Sequence, residues 1–224
     1  MTTQSFTSTA TRPLHHQLGL GAILGPLLFT LAWIILGIAQ PPIHNIYGVM
    51  GGVSGAISNP ISGLGVGPQA TLFNAAFIVC GLLTAVGTIA AAAALLAHRG
   101  AFGRWSCALL LALSPIGLAF AGVFTLADSI VLHSVAALFL FGSPLISFVV
   151  AGLMLRNRPG LRRFGNALIL AGPLTLALFV AYALSFDQAR VAAGEGIAGL
   201  TERILILELQ FWYVALGWLA LRQR

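Results

Sequence analysis

Six apolar runs, each long enough to cross a bilayer as a helix, dominate this chain. They read as 19–39, 71–97, 105–127, 131–155, 165–186 and 204–221. Crossing about 30 Å of hydrocarbon takes roughly 20 residues at the rise of an α-helix. Five of the runs have no formal charge in their middle, and the sixth contains Glu208. Charged residues are 7% of the chain and apolar residues 58%, where a soluble domain carries about 25% charged. Water is therefore not the main solvent. The expected fold is all-α, a bundle of six transmembrane helices. The runs use up most of the 224 residues, so the expectation is a single membrane domain, 19–224, with no separate soluble domain. Residues 1–18 are polar and Thr/Ser-rich and read as a disordered cytoplasmic tail.

The formal net charge is +6, and all eleven cations are arginine. In a soluble chain this would suggest nucleic acid. Position explains it better. Arg12, Arg99, Arg104, Arg156, Arg158, Arg162, Arg163, Arg222 and Arg224 flank one set of helix ends, and Arg190 and Arg203 flank the other. By the positive-inside rule both termini are cytoplasmic, as an even number of spans requires. The expected location is the cytoplasmic membrane, with lipid rather than nucleic acid as partner. The five acids (Asp128, Asp187, Glu195, Glu202, Glu208) all fall at or near the outer side.

Cys80 and Cys107 lie inside expected helices, so a structural disulfide is not expected. Gly37-Ile38-Ala39 resembles a signal-peptidase site, but the apolar stretch before it, about 20 residues, is too long for the core of a signal peptide. The inner loops 98–104 and 156–164 are short and basic. The outer loop 40–70 is long, uncharged and rich in Gly, Pro, Ser and Asn. Its apolar content predicts that it packs over the outer mouth of the bundle, where protein shields its backbone. Loop 187–203 is the most polar outer segment.

Pro26, Pro115 and Pro173 recur in outward-running helices within similar Ala/Leu-rich stretches. Three hairpins from one ancestor would explain this, and compositional bias explains it more simply. A proline inside a helix frees a backbone carbonyl and permits a kink. Gly21-x-x-x-Gly25 is a helix-packing pair, for contacts within the bundle or for a homo-oligomer.

Few polar groups remain to carry chemistry. Asn74 lies one turn inside the second helix. Asp128 ends the third, where it suits an N-cap for the fourth. His133 begins the fourth. Glu202 and Arg203 lead into the sixth, with Glu208 deeper. An acid at a helix centre costs on the order of 3 kcal/mol to insert, so Glu208 needs a partner or a purpose. His133, Asn74 or backbone N–H groups of loop 40–70 are the expected partners. In a catalytic reading Glu208, His133 and Asp128 are the candidates, with Glu208 or His133 as proton acceptor and Arg203 holding an anionic headgroup. No metal or other cofactor is expected: zinc wants three or four convergent ligands, and His44 and His133 are the only outer histidines. Gly63-x-Gly65-x-Gly67 lacks the spacing and lysine of a nucleotide loop. Ser54, Ser58 and Ser62 form no nucleophile elbow.

The stretch ISNPISGLGVGPQATLFN at 57–74 is followed by Gly81-Leu82-Leu83. Then come the Gly122-Val123-Phe124 to Asp128 to His133 run, and Gly199-Leu200-Thr201-Glu202-Arg203 leading to Trp212. In order and spacing these resemble the bacterial and archaeal membrane proteins grouped as domain-of-unknown-function family 998. The resemblance runs from Gly25-Pro26 nearly to the C-terminus. It implies a six-helix membrane protein and brings no established activity. More distantly, the chain is similar to seven-helix membrane hydrolases that include the alkaline ceramidases. Those hold zinc with three histidines, which this chain lacks, along with one helix.

The leading expectation is an outward-facing polar pocket, roofed by loop 40–70, that binds a lipid or small amphiphile. Asn74, Asp128, His133, Glu202, Arg203 and Glu208 would line it. Enzyme or pure binder stays open. A proton-coupled carrier titrating Glu208, or a structural subunit without a ligand, are the alternatives.

Overall fold

The computed structural model describes residues 14–45 and 48–222. Of the tail expected at 1–18, residues 1–13 lie outside the described residues, and Leu14–Gly19 form helix α1. The chain continues through α2 (Gly21–Trp33) into a π-helical turn, Ile34–Ile38. The long helices α4 (Ala70–Leu95), α5 (Ala101–Val123), α6 (Ile130–Leu155), α7 (Arg162–Ser185) and α9 (Ala198–Arg222) complete the bundle. Two short helices, α3 (Gly52–Ser58) and α8 (Gln188–Ala192), lie in the connections. Six helical stretches among the described residues are long and apolar enough to cross a membrane.

Neighbouring contacts close the helices into a ring, α2–α4–α5–α6–α7–α9 and back to α2, with α9 also touching α4. The interior is aromatic: Phe29, Phe73 and Phe77 stack edge-on beneath one end, and Phe148 meets Tyr213 deeper in. Gly21 and Gly25 seat against backbone atoms of α4 at Leu83, Gly87, Cys80 and Thr84, so this small-residue face serves packing within the chain.

At one end two arginines bridge the short connections. Arg99 Nη2 donates to Met154 O at 2.8 Å and Arg158 Nη1 to Leu95 O at 2.7 Å. Each satisfies a carbonyl left open where a helix ends. This is the basic end of the bundle. The opposite end holds segment 40–70, which is more regular than its composition predicts. A two-stranded hairpin, β1 (Ile43–Asn45) and β2 (Gly48–Met50), comes first. Gly51 and Gly52 follow at φ +77° and +67°, a backbone shape that costs glycine nothing. They swing the chain into α3, and a 3₁₀ turn, Ile61–Val66, leads on to α4.

The helix limits differ most at the sixth span. It was expected from 204 but begins at Ala198. Glu202 and Arg203 made this stretch look like loop, yet both are buried within α9, because segment 40–70 folds over them. The third span starts and ends earlier than expected, at Ala101 and Val123. The prolines do what their chemistry requires. Pro115 leaves Leu111 C=O without its intrahelical donor, and Tyr213 Oη–H supplies one at 3.0 Å. Pro144 frees Leu140 C=O in the same way, and Ser114 Oγ–H takes it at 2.7 Å.

Candidate functional site

The α6–α7 pair is built to close at one end and open at the other. Toward the basic end small residues let the backbones touch. A Cβ on Gly152 would stand 2.5 Å from Gly165 O, and one on Gly172 would stand 3.0 Å from Leu145 O. Toward the hairpin end the facing positions are large instead: Phe141 meets Phe179 and Tyr182 with ring centroids 5.9 and 6.1 Å apart. Helix α7 is also the most peripheral of the six. Only 22% of its most apolar stretch is buried, against 61% for α5.

A groove of about 850 Å³ results, lined by both helices and by segment 59–63. Its volume is that of a small-molecule site. Phe141, Phe179, Tyr182 and Phe186 form aromatic walls. Ile130 and Leu138, 66% and 63% exposed on α6, line it too, so the groove opens sideways on the bundle surface. Its deep side is polar, with Asn59, Ser62, His133 and Glu202.

Glu202 and His133 are both almost fully buried. The same two residues also line a separate void of about 20 Å³ behind the groove, which is room for one water molecule. Glu202 Oε2 accepts the backbone N–H of Ile61, tying α9 to the 3₁₀ turn. His133 Nδ1 lies 2.7 Å from Phe124 O at the end of α5. A carbonyl can only accept, so Nδ1 bears the hydrogen, and a neutral ring then has Nε2 as an acceptor.

Of the six residues expected to line one pocket, the groove brings together these two. Arg203 is buried, and its Nη1 donates to the carbonyls of Ala56, Asn59 and Gly199 at 2.7–2.9 Å. Its guanidinium lies over the Trp33 ring, 5.5 Å from the centroid. It therefore fastens α3 and the loop to α9 and does not line the groove. Asn74 Nδ2 donates to Gly65 O at 2.9 Å, pinning the 3₁₀ turn to α4. Asp128 is exposed at the α5–α6 corner, where its Oδ2 accepts from Thr125 Oγ1 at 2.7 Å. The N-cap of α6 is not Asp128 but Ser129, whose Oγ accepts from Leu132 N. Glu208 is also partnered differently from expectation. It takes Trp212 Nε1–H at 2.6 Å and the Thr175 hydroxyl at 3.0 Å. Those partners lie on α9 itself and on α7, so Glu208 locks two helices together and does not line the groove.

Over nearly the whole chain, residues 23–219, the sequence fits a family described as protein of unknown function (DUF998). The chain belongs to that family. No curated protein and no solved structure matches it. The resemblance drawn from the 57–74 stretch and the Glu202-Arg203 run thus holds, and with six apolar helices this DUF998 member is a multi-pass membrane protein.

Within this DUF998 chain the groove contributes residues that the sequence did not place in the site: Asn59, Ser134 and Tyr182, and Ser62, which was weighed only as a nucleophile and set aside. Asn59 and Ser62 lie in the loop expected to roof the site, and that expectation was the nearest available signal. Tyr182 sits in an apolar helix with nothing nearby to mark it. Among the described residues no three His, Cys, Asp or Glu side chains gather as metal ligands.

Proposed function

We propose that this protein binds a membrane amphiphile in the groove between α6 and α7, tail against the aromatic walls and head toward Glu202 and His133. One observation carries the reading: a groove of about 850 Å³ opens on the lipid-facing surface and ends in buried polar groups. A soluble metabolite would not need a sideways mouth, and an annular lipid would not need a buried carboxylate at the far end. Polar groups at membrane depth are costly unless they are paired or used. The basic end faces the cytoplasm in this reading, which puts the groove in the outer leaflet. The surroundings of Glu208 favour a lock between helices over the titrating group of a carrier.

The test is native mass spectrometry of the detergent-purified protein with extraction of what co-purifies. Wild type should retain an amphiphile of defined mass. Ala183→Trp, a change at an exposed position lining the groove, should lose it while the fold is kept. Glu208→Gln should retain it. Equal retention in wild type and Ala183→Trp would remove the groove as the binding site.

A further inference from the structure

We infer that the head of this groove selects an amphiphile whose head donates hydrogen bonds, a long-chain amine or alcohol, and discriminates against an anionic head. The inference rests on the groove reading above and adds the chemistry of its occupant.

The deep end of the groove is a place of acceptors. Glu202 is 5% exposed and lines the groove, with one carboxyl oxygen engaged by Ile61 N–H. A carboxyl group has acceptor sites for more than one donor, ionised or not, so this single bond leaves capacity over. His133 is 8% exposed and turns its Nδ1–H to Phe124 O. A neutral ring with that hydrogen fixed has one polar atom left, the Nε2 acceptor. With the ring neutral, two buried groups on facing elements offer lone pairs at the same end of one groove.

No cation balances them from the groove wall. None of the groove-lining residues is Arg or Lys. The arginine nearest in sequence, Arg203, gives its Nη1 to three backbone carbonyls of segment 56–59 and α9. Arg203, beside Glu202, keeps its charge but does not line the groove, so an anionic head would meet the Glu202 carboxyl with no charged donor on the wall to pair with, which is costly in a desolvated site. An ammonium or hydroxyl head would give its hydrogens to groups that need them. The Ser62 and Tyr182 hydroxyls and the Asn59 side-chain amide, which also line the groove, carry no charge, can donate or accept, and do not change the sign of this preference.

The experiment offers dodecylamine, dodecanol and dodecanoate in equimolar mixture to the purified full chain, with retention read by native mass spectrometry. The tails are identical, so only the head is compared. Amine and alcohol should each be retained about tenfold over the carboxylate, a difference of about 1.4 kcal/mol. Glu202→Gln keeps an oxygen for Ile61 N–H and removes the ionisable acid. It should cut the preference for amine over alcohol by about tenfold and leave the alcohol bound. Carboxylate retained as well as amine, with all three lost in Ala183→Trp, would overturn the head selectivity and leave the groove standing. No probe retained, or retention unchanged in Ala183→Trp, would overturn the groove itself. The three-probe comparison on wild type decides the selectivity even if Glu202→Gln does not fold.

Discussion

Glu202 and Arg203 are neighbours in sequence with opposite duties. Helical geometry turns successive side chains about 100° apart, so one reaches the groove while the other reaches the carbonyls of Ala56 and Asn59. Arg203 therefore acts on stability. Arg203→Met should leave the carbonyls of Ala56, Asn59 and Gly199 without their shared donor, at about 1–3 kcal/mol for each buried group that finds no substitute. Thermal unfolding in detergent should show the loss, and hydrogen exchange should localise it to residues 52–63. Unchanged exchange in that segment would show that the arginine does not hold the loop. The sequence flagged both residues as two of the few polar groups near the outer end of the bundle, but it could not assign their roles. The partners of Arg203 are 147 and 144 residues away, a separation that no local pattern encodes. The same gap explains Glu208, whose Thr175 partner lies 33 residues away in an otherwise apolar helix.

At the scale of the element, the helices were legible because hydrocarbon demands a long apolar run and little else satisfies it. Their limits were legible only where polarity and helix end coincide. At Ala198 they do not: α9 begins six residues before the apolar run because protein, not water, surrounds Glu202 and Arg203. Segment 40–70 was not legible as a hairpin followed by α3 and a 3₁₀ turn, since glycine-rich sequence permits many backbone shapes. The proline-freed carbonyls give an element-level test. Tyr213→Phe should destabilise by roughly 1–3 kcal/mol, because Leu111 C=O then lacks its donor. Adding Pro115→Ala restores an amide N–H to that carbonyl and should recover part of the loss. A double variant no more stable than Tyr213→Phe alone, by thermal unfolding, would break the link between the proline and the tyrosine.

The whole molecule is a ring of six helices whose α6–α7 pair is zipped by glycines at one end and held apart by aromatics at the other. That arrangement was not readable from either helix alone, as each is simply apolar with scattered small residues. Orientation is a property of the whole chain as well. Cys80 and Cys107 are 5% and 2% exposed, so a cysteine placed at Gly100 or Gln188 can be labelled against a quiet background. Gly100→Cys should react from the cytoplasmic side and Gln188→Cys from the opposite side, and the reverse would invert the topology. The most direct test of an amphiphile site is photo-crosslinking in a bilayer with a diazirine-bearing alkyl amine, followed by peptide mapping. The groove account expects adducts concentrated on residues 130–141 and 179–188, and suppressed in Ala183→Trp. Adducts spread evenly over lipid-facing positions such as Leu24, Leu27 and Leu82 would contradict it and leave only annular lipid.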